Sequence, residues 1–304
     1  MNRHIRQTLF PILAALIWGT AFSVQSIAAE HLDALSFNCS RSIVATLFLV
    51  GLDLVFSRVT PGRKNMFQLE RKARRDLLVG GFCCGIAVFI ASNLQQVGIA
   101  GTSAGKAGFL TTIYIVFVPL LGLMFQGKRS TPLMWGSVAI AVAGLYFLCV
   151  TEDFSVAPID FVLLLCALVY AVHILIIEHF SVKVDGIQLS CFQFLVMAVF
   201  SGIGALLFEQ PTWENVVACL LPTLYVGVFS SGVAYTLQIL ALRGSNPTVV
   251  SLLLSTESVF ALICGALMLH ERMSGRELFG CGLMMVSVLL AQLPAASGET
   301  AKTE

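Results

Sequence analysis

The chain has 304 residues, of which 57% are hydrophobic and 12% are charged, with a formal net charge of +1 and a mean hydropathy of +0.89. Soluble domains carry about 25% charged residues. This composition therefore excludes an ordinary soluble protein and indicates a chain that resides in a lipid bilayer.

Hydrophobic stretches long enough to cross a bilayer follow one another almost without interruption. A transmembrane helix needs about 20 apolar residues, whereas the strands of a membrane barrel have about ten residues of alternating polarity. Segments such as "PLLGLMF" and "VVSLLLS" do not alternate. We therefore predict an all-α membrane protein with ten transmembrane helices, at 8–29, 34–56, 77–98, 103–126, 132–150, 158–177, 187–208, 216–241, 247–269 and 276–293.

The first hydrophobic stretch follows two basic residues, Arg3 and Arg6, as the core of a cleaved signal peptide would. The apolar run is too long for a signal peptide, and no clear small-residue cleavage site follows it. We therefore interpret it as the first permanent span. The longest polar segment, about 57–76, is expected to be a loop, so all function is expected within the helix bundle.

The orientation follows from lysine and arginine, which favour short cytoplasmic loops. With a cytoplasmic N-terminus, fourteen of these residues lie inside and two outside, so we predict an inner-membrane protein with both termini cytoplasmic. The basic segment "RKARR" is interpreted as an anchor at the lipid surface; the lipid bilayer, and no nucleic acid, is the expected partner. The inner residues are Arg3, Arg6, Arg58, Arg63, Lys64, Arg71, Lys72, Arg74, Arg75, Lys128, Arg129, Lys183, Arg243 and Lys302, and the outer ones are Arg272 and Arg276.

The chain repeats itself. "SFNCSRSIVATLF" (36–48) aligns with "QLSCFQFLVMAVF" (188–200). Because each copy holds five spans, the second copy must enter the membrane from the other face, so we predict two inverted five-helix repeats, 1–155 and 156–304. Inverted repeats are the device by which transporters alternate access to a central site. The alignment pairs Trp18 with Tyr170, Arg41 with Gln193, Gln95 with Gln238 and Tyr114 with Glu257.

Four segments resemble the drug/metabolite transporter superfamily, specifically its ten-span EamA-type exporters. They are "AALIWGTAF", "SRSIVATLF" with Arg41, "TSAGKAGFLTTIYIVFVPLLG" and "LHERMSGRELFG", and the resemblance covers about 8–293 in two copies. It implies a secondary transporter of small metabolites, often an exporter of amino acids or drug-like compounds. Lys128 stands where the first copy often has an acid, and Ser258 where a proline often follows the glutamate. These departures leave the substrate open.

Motifs for energy-coupling or metal catalysis are incomplete. Ala100 and Ala107 replace the Gly and the Ser or Thr of a P-loop, and Ser274 replaces the second His of a zincin motif. We therefore expect no enzyme activity, no catalytic residue, no cofactor and no metal. The alternatives from other classes are an intramembrane lipid-modifying enzyme, a lipid flippase and a channel.

Three charged residues stand out among the polar residues of the predicted spans: Arg41, Lys106 and Glu257. Intramembrane charges are costly and usually face the bundle interior. Arg41 is interpreted either as a structural anchor that can snorkel outward or as part of the pathway. Lys106 lies among small residues typical of a packed helix face, so we expect it to face a cavity or an ion-pair partner, with snorkelling as the alternative. Glu257, near the midplane, is the candidate for proton coupling; a permanent structural hydrogen bond is the alternative.

We predict a central site between the halves for a small amino-acid-like or drug-like substrate, built from the first, second, third, fourth, sixth, eighth and ninth spans. Arg41 and Lys106 would suit a substrate carboxylate, while Glu257 holds an amine or a proton. For the neutral polar residues, helix-to-helix hydrogen bonding is the open alternative, and a homodimer is compatible with the sequence. The predicted substrate-binding residues are Trp18, Arg41, Asn93, Gln95, Lys106, Tyr114, His173, Gln193, Gln238 and Glu257.

Overall fold

The computed structural model describes residues 3–102, 104–128, 130–149, 157–269 and 274–293. These residues form helices and the turns between them, which confirms the predicted all-α fold. The helices are α1 (Arg3–Ala29), α2 (Ala34–Val59), α3 (Arg71–Gly101), α4 (Ala104–Thr112), α5 (Tyr114–Gln126), α6 (Pro132–Cys149), α7 (Pro158–Ser181), α8 (Gly186–Phe208), α9 (Trp213–Ala218), α10 (Leu220–Tyr225), α11 (Tyr235–Leu242), α12 (Pro247–Leu254), α13 (Glu257–Leu269) and α14 (Gly275–Gln292).

The helices match the ten predicted spans. In the described part of the chain, seven helices are long and apolar enough to cross a membrane, and the shorter apolar helices Pro132–Leu148 and Pro247–Ile263 add to them. The remaining helix, α14, coincides with the tenth predicted span. Arg129, Arg272 and Lys302 lie outside the described residues, as does the rest of the segment 270–273.

The two repeats enter the bundle from opposite faces. We call the face at which α1 begins the N-terminal face; there Arg6 donates a hydrogen bond to the carbonyl oxygen of Arg243 (2.9 Å). At the opposite face, the last residue of α3, Gly101, packs against Ile159 in the first turn of α7. α1 and α7, which begin the two repeats, therefore run in opposite directions.

The segment 57–76 is more ordered than the predicted loop. Helix α3 begins at Arg71, so "RKARR" forms its first turns, because Arg, Lys and Ala are strong helix formers and no Gly or Pro interrupts them. The loop before it is fixed to the bundle by Arg63, whose Nη2 lies 2.8 Å from both Asp53 Oδ1 on α2 and Asp185 Oδ1 before α8. The loop thus connects the two repeats at the N-terminal face.

The fourth and ninth predicted spans are each broken near the middle. α4 and α5 separate at Ile113, and α12 and α13 separate at Ser255–Thr256, positions that the repeat alignment makes equivalent. Hydroxyl side chains explain the breaks: Thr112 lies 2.7 Å from the carbonyl oxygen of Gly108, and Ser255 and Thr256 bond carbonyls in their own preceding turn. Such side-chain bonds compete with the helical backbone bonds and bend helices.

Helices α6 and α14 approach each other through two glycines. A Cβ atom on Gly280 would lie 2.8 Å from the carbonyl oxygen of Gly144 and from the backbone nitrogen of Leu148. Small residues permit this close helix packing in membranes.

We expect Gly280→Val to lower the free energy of unfolding by about 1–3 kcal/mol, because overfilled packing sites cost that much. Thermal unfolding in detergent measures the loss. Gly282→Val in the same helix is the matched control, since a Cβ there meets nothing within 4 Å. An equal loss in both variants would contradict the close packing.

Candidate functional site

A cavity lies between the two repeats, at the level of the two helix breaks. The empty space between its walls is about 510 Å³, which includes the part that is open to the outside. Its walls come from the first, second, third, fourth, sixth, eighth and ninth spans. The lining residues are Trp18, Phe22, Gln25, Arg41, Gln95, Thr111, Tyr114, Tyr170, Ile174, Ser230, Tyr235, Gln238 and Glu257.

The cavity lies where the pseudo-symmetry of the repeats predicts a central site. Both members of four aligned pairs line it, so equivalent side chains face each other from the two repeats. Sites at the interface of inverted repeats have this arrangement. The pairs are Trp18 with Tyr170, Phe22 with Ile174, Gln95 with Gln238, and Tyr114 with Glu257.

Arg41 breaks this symmetry, because its aligned partner Gln193 does not line the cavity. Arg41 is 2% exposed, so its guanidinium does not snorkel to the surface. Its Nη1 donates a long hydrogen bond of 3.4 Å to Gln25 Oε1, and its Nε has no partner among the described residues. The ring of Phe37 packs 5.8 Å from its Cζ atom. In the described ranges, no carboxylate pairs with this cation.

Glu257 supplies an acidic group to the cavity. It is 4% exposed and is the first residue of α13, where the positive end of the helix dipole favours a carboxylate. Its Oε1 lies 3.2 Å from the Thr112 hydroxyl at the end of α4. The two helix breaks therefore meet at this carboxylate, and no lysine or arginine among the described residues pairs with it.

An aromatic wall with a hydrogen-bonded core forms another side of the cavity. The Trp18 and Tyr235 rings are 5.0 Å apart at their centroids, and the Tyr170 hydroxyl donates to Gln95 Oε1 at 3.0 Å. The Trp18 indole donates to the carbonyl oxygen of Ser230 (3.4 Å), which belongs to the π-helical segment Val226–Ala234. π-Helical turns often occur at functional sites.

Several polar atoms around the cavity lack a protein partner. The hydroxyl of Tyr114 and the Oε1 atom of Gln238 have none in the part of the chain that the structure describes. Buried polar groups in proteins are nearly always hydrogen-bonded. These atoms, with the Nε of Arg41, are therefore suited to a polar ligand or to water in the cavity.

Six of the ten predicted substrate-binding residues line this cavity, and four do not. Asn93 accepts a hydrogen bond from Asn38 at 2.9 Å, between α3 and α2. His173 and Gln193 are hydrogen-bonded to each other at 3.1 Å, behind Tyr235. For these residues the structure shows the packing contacts that the sequence left open.

Lys106 is the fourth residue outside the cavity. Its Nζ forms an ion pair with Asp160 Oδ2 on α7 at 2.8 Å. Arg41 and Lys106 were expected to bind a substrate carboxylate together. In this conformation, only Arg41 of the two lines the cavity. Asp160, which sequence reasoning did not single out, was recognisable only as the acid in the first turn of the sixth span.

Sequence reasoning also missed Tyr235 and Phe22. Tyr235 lies three residues before Gln238 on α11, and side chains three apart share a helix face. Phe22 lies one turn after Trp18 on α1. Helical spacing from a predicted site residue was the signal that could have identified both.

Comparisons with known proteins agree with this architecture. The model of the EamA-like transporter family matches residues 7–150 and again residues 157–293. An uncharacterized transporter of Archaeoglobus fulgidus is 29% identical over 285 residues, which cover 92% of this chain and 84% of the relative. A probable terminal-alkyne amino-acid exporter of Streptantibioticus cattleyicolor is 23% identical, over 74% of this chain and 72% of its own.

A crystal structure with 16% sequence identity has the same fold, with a TM-score of 0.76 over 94% of this chain and 96% of that chain. The family match spans both repeats, which is far more than half of the chain. Members of this family are transporters, which excludes the lipid-modifying enzyme considered above. The protein thus belongs to the EamA-like transporter family of the drug/metabolite transporter superfamily and is a multi-pass membrane transporter, not an enzyme.

Proposed function

We propose that the protein is a secondary active transporter that exports a small amino-acid-like molecule by alternating access, with the central cavity as its substrate site. Its position between inverted repeats supports alternating access, because the two repeats can exchange conformations around a shared site.

The observation that carries the substrate class is a pair of buried ionisable groups in the cavity that have no counter-ion among the described residues. Arg41 has no carboxylate partner and Glu257 has no cationic partner among the described residues, and both are buried. Buried charges are stable when paired and hydrogen-bonded. A molecule with a carboxylate for Arg41 and an ammonium for Glu257 supplies both partners. The name of the Streptantibioticus relative, an amino-acid exporter, supports the same class.

A drug-like substrate is the second candidate, favoured by the aromatic wall of Trp18 and Tyr235. Such rings bind apolar surface and stack on other rings. We prefer the amino-acid-like substrate because an apolar molecule would leave the Arg41 guanidinium buried without an anion. With an amino-acid-like substrate, the aromatic wall would contact the side chain of the substrate.

Coupling to protons follows from the same carboxylate. When no ammonium is bound, a proton on Glu257 removes the buried negative charge. Proton and substrate would then compete for one group, so that a proton gradient drives exchange across the membrane.

The direction of transport depends on the orientation, and we propose that the N-terminal face is cytoplasmic in the inner membrane. Arg63, Lys128, Lys183, Arg243 and the first turns of α3 lie at this face, in accord with the positive-inside rule. Reporter fusions after Gly62 are expected to be cytoplasmic, and fusions after Gln210, between α8 and α9, are expected to be periplasmic. Reversed reporter signals would contradict the orientation.

An unbiased comparison of the metabolites of cells with and without the protein tests the function. We expect the growth medium of cells that contain the protein to be enriched in an amino-acid-like compound. Purified protein in vesicles should transport the same compound. No change in any exported compound would contradict the exporter, and a change confined to lipid distribution between leaflets would favour a flippase.

A further inference from the structure

We propose that the ion pair between Lys106 and Asp160 is a latch that keeps the cavity closed toward the opposite face, and that α4 is the gate it holds. The proposal rests on the alternating access proposed above. It assigns that movement to one short helix and one pair of side chains.

The ion pair joins the two repeats between the cavity and the opposite face. Lys106 belongs to α4 in the first repeat and Asp160 to α7 in the second, and their side chains are only 15% and 5% exposed. Thr111, which lines the cavity, lies five residues after Lys106, or roughly 8 Å along the helix at 1.5 Å per residue. A ligand leaving the cavity toward the opposite face along α4 must therefore pass the pair.

The carboxylate of Asp160 is fixed in position at the N-terminus of its own helix, α7. Its Oδ2 accepts a hydrogen bond from the backbone nitrogen of Ala157 at 2.8 Å, at the N-terminus of α7. Its Oδ1 is buried with no partner among the described residues. The carboxylate is thus fixed in position, and the movable partner is the lysine on α4.

Helix α4 has the features of a movable gate. It has only nine residues and is separated from α5 by the break at Ile113. Thr111 and Tyr114, on the two sides of the break, both line the cavity. A rotation at this break moves α4 away from α7 while α5 keeps its packing against α7, and opens the cavity toward the opposite face.

The N-terminal face has the equivalent half-helix without the latch. There α12 packs against α1 as α4 packs against α7. The residues aligned with Lys106 and Asp160 are Val249 and Thr8, which are uncharged. Contact between α1 and the turn before α12 includes exposed hydrogen bonds from the half-buried Arg6 and Gln7 to backbone carbonyl oxygens.

This asymmetry gives the two gates different strengths. A buried ion pair that loses one partner leaves an uncompensated charge, whereas exposed hydrogen bonds exchange readily with water. The empty transporter therefore holds α4 more firmly than α12, while Arg63 with Asp53 and Asp185 joins the repeats elsewhere at the N-terminal face.

Cysteine labelling tests the latch without any substrate. Thr111→Cys places a thiol in the cavity, and a membrane-impermeant thiol reagent is added from the opposite face of vesicles whose protein orientation is known. The parent chain with its own cysteines gives the background. We expect Lys106→Gln and Asp160→Asn each to increase the labelling rate of the introduced cysteine at least tenfold. The charge exchange Lys106→Asp with Asp160→Lys is expected to restore slow labelling.

Lys128→Gln is the matched control, because it removes the same charge from an ion pair with Glu178 at the N-terminal face and should not increase the labelling rate. Unchanged labelling in both single variants, or equally fast labelling after the charge exchange, would overturn the latch. Lys106→Met, which keeps the length of the side chain, gives the same test if Lys106→Gln does not fold. Faster labelling in the single variants, with no compound exported by the wild-type protein, would support the latch and contradict the exporter. Export of a compound, with unchanged labelling in the single variants, would support the exporter and contradict the latch.

Discussion

Arg41→Gln is expected to lower the affinity of the transporter for its substrate by about 30-fold or more, while the protein stays inserted and folded. Truncating one partner of a buried, hydrogen-bonded charge pair costs about 2–5 kcal/mol, and each 1.4 kcal/mol is tenfold in affinity. Glutamine is tolerable at this position because the aligned residue of the second repeat is Gln193. The concentration dependence of transport in vesicles, with thermal unfolding in detergent, measures both effects.

Two variants sharpen the result for Arg41. Arg41→Lys keeps the charge but loses the planar fork that binds a carboxylate through two hydrogen bonds, so we expect an intermediate affinity. Arg75→Gln removes an equal charge from the exposed start of α3 and should leave the affinity unchanged. Unaltered transport in Arg41→Gln would exclude Arg41 from substrate binding, and loss of folded protein would show that Arg41 is a structural anchor.

Glu257→Gln is expected to abolish the dependence of transport on a pH gradient while exchange of substrate across the membrane persists at a reduced rate. Glutamine has nearly the same shape and can keep the contact with the Thr112 hydroxyl, which lies 3.2 Å from the carboxylate. It cannot gain or lose a proton. Vesicles with an imposed pH gradient should therefore concentrate substrate with the wild-type protein and only equilibrate it with the variant.

The control for this prediction is Glu178→Gln, which removes a carboxylate from the ion pair with Lys128 at the N-terminal face. Its transport should respond to the pH gradient as the wild type does. A Glu257→Gln protein with the wild-type response to pH would exclude Glu257 as the proton carrier. It would favour the alternative in which this carboxyl group makes a permanent structural hydrogen bond.

The position of Glu257 also indicates how occupancy of the site could affect α4, the proposed gate. Its carboxylate lies at the first residue of α13 and touches Thr112 at the end of α4. In the proposed mechanism, a proton or a substrate ammonium at this group would change the contact between two half-helices from different repeats. A small change there acts directly on the helix that the Lys106–Asp160 pair holds, without a longer chain of contacts.

The local properties of the sequence were sufficient to predict the location in a bilayer, the ten spans and the inverted repeat. Hydrophobicity summed over about 20 residues and the count of lysine and arginine in loops are properties of the chain that no folding step alters. The repeat alignment went further and paired Gln95 with Gln238 and Tyr114 with Glu257. Those pairs meet in the cavity because a pseudo-twofold axis relates equivalent positions of the two repeats, and positions close to the axis face each other.

Only the tertiary structure decided which polar side chains share a cavity and which bind each other. Asn93 and Gln95 are two residues apart on α3, yet one contacts Asn38 and the other lines the cavity. Lys106 could have faced a cavity, a partner or the surface, and its pairing with Asp160 became visible only when α4 was placed against α7. The physical reason is that the rotation of a helix about its axis, and the neighbour on each of its faces, are set by packing between segments far apart in the chain. In a bilayer, hydrophobicity gives little information about that rotation, because the lipid-facing and buried faces are both apolar.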